Sequence, residues 1–264
     1  LLGEKIEGTW NLKLAREFDM TMDSHLFKTE PGKGRLPLYE GKMIHQFEHQ
    51  YAEPKYWIDE KEGRKNLVGR EEDNGQKLDY QEYRLGFRAI ARNTDERTII
   101  SGIISKNVFC GNSLLVSNPD NFSNSKNILI TQSFANSFVL DSYIRKMVTA
   151  NINMFYIYQL PVPRLIEKSK EFKMIVERAA KLICTTPEFD DLAKEVGLGS
   201  HKNGVTDPSE RRKLRAELDG IIGNIYGLTE EEFVHVLSTF PIVGDDIKLA
   251  AHNAFRNYAK GLIE

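Results

Sequence analysis

Arginines recur at a spacing of four within residues 83–104: Arg84, Arg88 and Arg92, with Arg97 close behind. A row of guanidinium groups suits phosphate contacts and bidentate reading of guanine edges. Read with a period of two, the three arginines share a face with Gly86 and Ile90. Leu85, Phe87, Ala89 and Ala91 share the other. Asn93-Thr94-Asp95-Glu96 has the composition of a turn, and Thr98 to Ile104 is β-branched and apolar, as a buried strand is. The pattern predicts a hairpin with the arginines on its open face. A spacing of four would also hold them together on a helix. The competing use of these groups is structural, as partners of Asp79, Glu82, Asp95 and Glu96.

Catalytic constellations are scarce. The sequence has no GxGxxG, GxxxxGK[ST], GxSxG or HExxH motif. His45 and His49 could share a helix face for a metal, but their stretch reads as strand and loop with no third ligand, so no metal site is expected. Asp59-Glu60-Lys61-Glu62 is too charged to end a strand, as a nuclease carboxylate pair must. Asn118-Pro119-Asp120-Asn121-Phe122 approaches the Asn-Pro-Pro-aromatic tetrapeptide with which adenine methyltransferases grip a flipped base. It has Asp for the second proline and one residue too many, and reads as a turn. No residue is assigned a catalytic role. Cys110 and Cys184 lie far apart and read as reduced thiols of a cytoplasmic protein.

Of the 264 residues, 41% are hydrophobic and 28% charged, which suits one large globular domain or two small ones. No apolar run approaches the ~20 residues of a membrane span, and no membrane partner is expected. Leu1-Leu2-Gly3-Glu4-Lys5 lacks both an initiator Met and the basic-then-apolar layout of a secretion signal, which suggests a piece of a longer protein. The net charge of −2 is unevenly spread. Residues 84–160 hold eight basic side chains against four acidic ones, a surplus of four that leaves the rest of the chain acidic. A basic middle suits an anionic partner. Residues 107–160 also hold nine Asn and seven Ser, which can contact base edges and phosphates but equally make turns.

These side chains need a scaffold. Leu36 to Phe47 begins as a short strand, and residues 58–75 form a charged, mobile loop. Val108-Phe109, Leu114-Leu115-Val116, Ile128-Leu129-Ile130 and Met154 to Tyr158 read as short strands. Phe134 to Met147 reads as a helix. Beyond Pro161-Val162-Pro163 the periodicity is helical to the end. Helices are expected over Leu165 to Ile183, from Thr186-Pro187 to Gly197, from Asp207-Pro208-Ser209-Glu210 to Gly227, from Thr229-Glu230-Glu231-Glu232 to Pro241, and from Asp245 or Asp246 onward.

Four blocks carry a family resemblance: Leu36 to Phe47; Arg84-Leu85-Gly86-Phe87-Arg88 through Asn93 to Ile100; Gln159-Leu160-Pro161-Val162-Pro163; and Leu214 to Asp219 followed by Tyr226-Gly227-Leu228-Thr229. In order and spacing, over about residues 20–240, the chain resembles the region downstream of the catalytic domain in large bacterial restriction–modification and phage-defence adenine-specific DNA methyltransferases. The resemblance implies a target recognition domain of a type IIG-like enzyme, similar to the specificity subunits of type I systems. It implies an α+β fold, with a mixed-sheet recognition lobe over residues 1–163 and a helical subdomain over 164–264. Arg84, Arg88, Arg92, Asn93, Arg97, Lys106, Asn112 and Lys126 would contact duplex DNA. S-adenosylmethionine and the catalytic residues would belong to a methyltransferase domain of the parent protein, with or without an endonuclease beside it, and not to this chain. The alternative is a scaffolding module whose helices after Leu165 dock on that domain or on a partner subunit.

Overall fold

The computed structural model describes Leu2 and residues 10–263. Apart from Leu2, the opening stretch read for a secretion layout lies outside these residues. The fold is α+β, and helix (44%) outweighs strand (13%). The sheets are therefore small, and helices supply much of the core.

The 83–104 stretch is a hairpin, not a helix. Strand β4 (Arg84–Arg88) pairs antiparallel with β5 (Ser101–Ile104), with Leu85 opposite Ile103. Strands β1 (Leu14–Ala15) and β7 (Leu114–Ser117) complete a four-stranded antiparallel sheet in the order β1-β7-β4-β5. A second sheet has the order β3-β2-β6. In it β2 (Arg35–Tyr39) pairs antiparallel with β3 (Tyr56–Asp59) and parallel with β6 (Phe109–Cys110).

The hairpin has no open face. Leu85, Phe87, Ile103 and Leu115 join a large core with helices α2 (Ser125–Ala135) and α5 (Lys170–Ile183). The opposite face meets Tyr39, Met43 and Ile44. A period-two pattern with arginines fits a strand buried on both sides when each guanidinium finds an internal acceptor. Thr98 to Ile100 are buried but precede the strand.

Three other expectations are corrected. Ile128-Leu129-Ile130 lies in α2, not in a strand. The side chain of Asn124 caps α2 by accepting from the Asn127 amide at 3.1 Å. All of Ile128–Ala135 is buried, and a helix buried on every side has a continuous apolar run that periodicity alone cannot tell from a strand. Met154–Tyr158 is likewise one helical segment, α4. The charged excursion contains helix α1 (Glu60–Val68), whose polar faces are solvated.

The expected helix over Phe134 to Met147 is broken at Asn136-Ser137. Ser137 caps α3 (Phe138–Arg145), while Asn136 bonds to Ser101. The helices opened by Asp207 and Thr229 follow their expected caps. Thr186-Pro187 opens only a short 3-10 turn ahead of the next helix, and the helices starting at Asp190 and Asp245 have no side-chain cap. Helix α6 is Asp190–Glu195, and α7 is Pro208–Ile225, where Asp207 accepts from the Ser209 and Glu210 amides at 2.9 Å each. Helix α8 is Glu230–Ser238, with the Thr229–Glu232 capping box, and α9 is Asp245–Ala259. A Cβ at Gly220 would lie 2.5 Å from the Ala254 carbonyl carbon, so only glycine lets α7 cross α9 this closely.

One core runs from the sheet through α2 into Phe172, Ile175 and Leu182 of α5 and Leu218 and Ile222 of α7, across the expected boundary at Pro163. Phe138 of α3 joins Phe233, Phe240 and Phe255 in a smaller core among α8 and α9. No helix among the described residues is long and apolar enough to cross a membrane.

Candidate nucleic-acid interface

Three of the hairpin's four arginines donate to internal acceptors. Arg84 is fully buried; it ion-pairs with Glu17 and donates to the Val108 carbonyl. Its expected place on an open DNA-facing surface is therefore corrected: burying a guanidinium is tolerated only because these acceptors replace water. Arg88 is half-buried and donates from Nε to the Ile44 carbonyl at 2.8 Å, so it fastens the 44–48 segment to the sheet. Arg97, also buried, donates to Asp141 at 2.7 Å and to the Asn136 carbonyl, with its guanidinium 4.1 Å from the Phe138 ring centroid. The acids named as competing partners are not the ones used.

Arg97 anchors a loop whose tip carries Arg92 and Asn93, both exposed. Asp95 accepts from the Arg92 amide at 2.9 Å, and Thr98 donates its hydroxyl to the Arg92 carbonyl at 3.2 Å. Arg145 of α3 donates to the Asp95 and Glu96 carbonyls at 2.7 and 2.9 Å. Asp141 accepts from the Thr98 amide. A second loop is laced beside the first: Ala91 donates to the Ala150 carbonyl at 3.3 Å and Ile152 to the Ala89 carbonyl at 2.8 Å. That loop adds exposed Lys146, Asn151 and Asn153, with Phe155 exposed just beyond it. Ile90, 67% exposed, bridges to Asn151. The arrangement is a braced turn that presents cations, amide side chains and apolar groups together. These are the group types that contact phosphates, base edges and thymine methyls.

The other sequence candidates belong to different elements. Lys106 pairs with Asp191 at 3.1 Å and lies over the Tyr83 ring. Asn112 donates to Asp19 at 2.8 Å. Lys126 is half-buried in the first turn of α2. Asn118 accepts from the Asp120 amide at 2.8 Å, the turn that was expected. His45 packs on Tyr51 and His49 on Phe189. Burial, and after it Arg88, pushes the His45 imidazole down to about 4, so it is neutral at pH 7. Burial pushes both the Cys110 and the Cys184 thiols up to about 12.

Behind the loop lies a cleft of about 600 Å³. It is lined by Glu96 and Arg97, by the buried Gln46 and Asn136, and by Arg215 and Asp219 of α7. Burial raises the Asp219 carboxyl to about 6, against the pull of Arg97. The start of α7 carries Arg211, Arg212, Lys213 and Arg215. The capping signal and helical periodicity drew the eye to this helix and not to its cations, although four in five positions at a helix start was a visible signal.

No family model matches the chain, and no curated protein matches its sequence. Among solved structures, the type IIL restriction–modification enzyme MmeI, solved in complex with DNA, is similar at a TM-score of 0.50 and 13% identity. The match covers 98% of this chain and 36% of that one. At this identity the likeness is one of fold: the chain has the fold of part of a restriction–modification enzyme and spans about a third of such a protein's length.

Proposed function

We propose that this chain is the DNA target recognition part of a restriction–modification adenine methyltransferase, and that the braced loops at residues 90–97 and 146–153 face the duplex. The observation that carries this reading is the fold likeness to a stretch of an enzyme solved on DNA, which extends over nearly the whole chain. The exposed Arg92, Asn93, Lys146 and Asn151 supply contacts of the right chemistry. On this reading S-adenosylmethionine binds a methyltransferase domain outside the chain, and that domain is its protein partner. The target adenine would leave the stack at a cost of a few kcal/mol.

The test is binding to random-sequence duplex DNA at about 50 and 200 mM salt, the range over which a protein touching several phosphates loses affinity steeply. The Arg92→Ala/Asn93→Ala variant should bind more weakly, with thermal stability unchanged. Salt-independent binding, or a variant that binds like the parent chain, would falsify the loop assignment. A second reading, docking of the helical part on another domain, is favoured by the exposed Ile242, Leu249 and Leu262. It predicts that polar substitutions there weaken association with the methyltransferase domain while leaving DNA affinity intact.

A further inference from the structure

A second cavity of about 520 Å³ opens between residues 47–50 and the start of α7. Three arginines line it, Arg211, Arg212 and Arg215, and a single acid, Glu48. Arg211 is fixed: it donates to the carbonyls of Leu182 and Val205 at 2.7 and 2.8 Å. Arg211 and Arg215 share one carboxylate oxygen of Glu48, at 3.6 and 3.4 Å. Nε of Arg215 is buried without a hydrogen-bond partner. Arg212 is exposed and has no ion pair among the described residues. His49, on the wall, is held neutral by burial and adds no charge. The cavity lining therefore carries two more positive charges than negative ones.

Crowding guanidinium groups around one shared acid is unfavourable. Burial, and next the neighbouring Arg215, pull the Arg211 guanidinium below its ordinary range. An anion entering the trench would relieve that repulsion and give Arg215 an acceptor. Thr185, Thr186 and Thr206 line the same trench with hydroxyls, and guanidinium forks with hydroxyls match the oxygens of a phosphate. The α7 terminus plays no part, because Asp207 already occupies its first amides. Arg212 and Arg215 also line the larger cleft together with Arg97, so the two cavities share a wall.

We propose that the trench between residues 47–50 and α7 is a phosphate-binding site, separate from the loop surface and formed around Arg211, Arg212 and Arg215. Two sources share this chemistry, the phosphodiester backbone of a duplex and a free phosphorylated compound. The reading does not depend on the loops at 90–97.

The experiment compares the chain with Arg212→Gln/Arg215→Gln in two arms. The first is binding to random-sequence duplex across a salt series, and the second is thermal unfolding with and without inorganic pyrophosphate. Arg212→Gln alone, at an exposed and unpaired position, replaces the double variant should that one not fold. If backbone phosphates occupy the trench, the double variant lowers the log–log salt slope by roughly 1–2 and weakens binding about ten-fold. If the source is a free phosphate compound, pyrophosphate raises the melting temperature of the chain but not of the variant. An unchanged slope together with no pyrophosphate effect overturns the site, even when the chain binds DNA through its loops. Stabilisation by pyrophosphate in a chain that does not bind DNA supports the site and removes the recognition reading instead.

Discussion

Arg84 and Arg92 are the same residue type eight positions apart, yet their surroundings give them opposite roles. Arg84 sits between two sheets, where an ion pair with Glu17 replaces its water; Arg92 stands in solvent on a turn. Asp219 shows how such surroundings become measurable. Burial raises its carboxyl from 3.8 to about 6, so the folded protein holds this proton more tightly than the unfolded chain. Its contribution to stability is present below about pH 4 and lost as the pH rises through about 6. At 1.36 kcal/mol per pH unit this is worth up to ~3 kcal/mol. His45, depressed to about 4, acts in the opposite direction: its contribution is present above its ordinary value and lost as the pH falls towards about 4. The informative quantity is therefore a difference between variants. Asp219→Asn keeps an acceptor for the Phe138 amide, 2.8 Å away. Its stability relative to the parent chain, from urea unfolding at pH 4 and pH 7, should rise by ~2–3 kcal/mol. A constant difference would mean that Asp219 is ionised throughout.

At the scale of elements, the junction between α2 and α3 holds the interface loop in place. Asn136 accepts from both the amide and the hydroxyl of Ser101 at 3.0 Å and donates to the Ser101 carbonyl at 3.0 Å. Its own carbonyl receives Gln46 at 3.1 Å and Arg97. One residue thus ties β5, the 44–48 segment and the arginine loop to the end of α2. Asn136→Ala leaves the buried amide and hydroxyl of Ser101 without their acceptor, while its carbonyl keeps Gln132 at 3.2 Å, at ~1–3 kcal/mol for each unsatisfied group. Thr229→Ala, at an exposed capping box far along the chain, should cost only ~1 kcal/mol. Denaturant midpoints of the two variants would rank them, and equal losses would remove Asn136 from its place as the knot. The cap of α8 was legible in Thr229-Glu230-Glu231-Glu232, because capping is a local hydrogen bond. The break at Asn136 was not legible, because the partner that competes for Asn136 lies 35 residues away in β5.

The whole molecule has a shared core. Phe87 and Leu115 of the sheet, Phe134 of α2, Phe172 of α5 and Ile222 of α7 belong to one cluster. The boundary placed at residue 163 falls in the chain but cuts through this packing. Unfolding followed by far-ultraviolet and near-ultraviolet signals should therefore coincide in a single transition. Two separated midpoints would show that the sheet lobe and the helical part fold as independent units.

The α+β class, the hairpin over residues 83–104, the caps of α7 and α8 and the surplus of cations in the middle of the chain could all be read from the sequence. Each is set by near neighbours, through side-chain alternation, a capping hydrogen bond or composition. The fate of each cation depended on what folds over it. Tertiary structure buried Arg84 between two sheets, made Arg97 an anchor against Asp141 and Phe138, and left Arg92 exposed. It also brought Arg211 and Arg215 onto Glu48, with Arg212 lining the same trench, from 163 or more positions away. The cost of burying a charge is settled by acceptors that arrive from distant segments, and a periodic pattern carries no information about them.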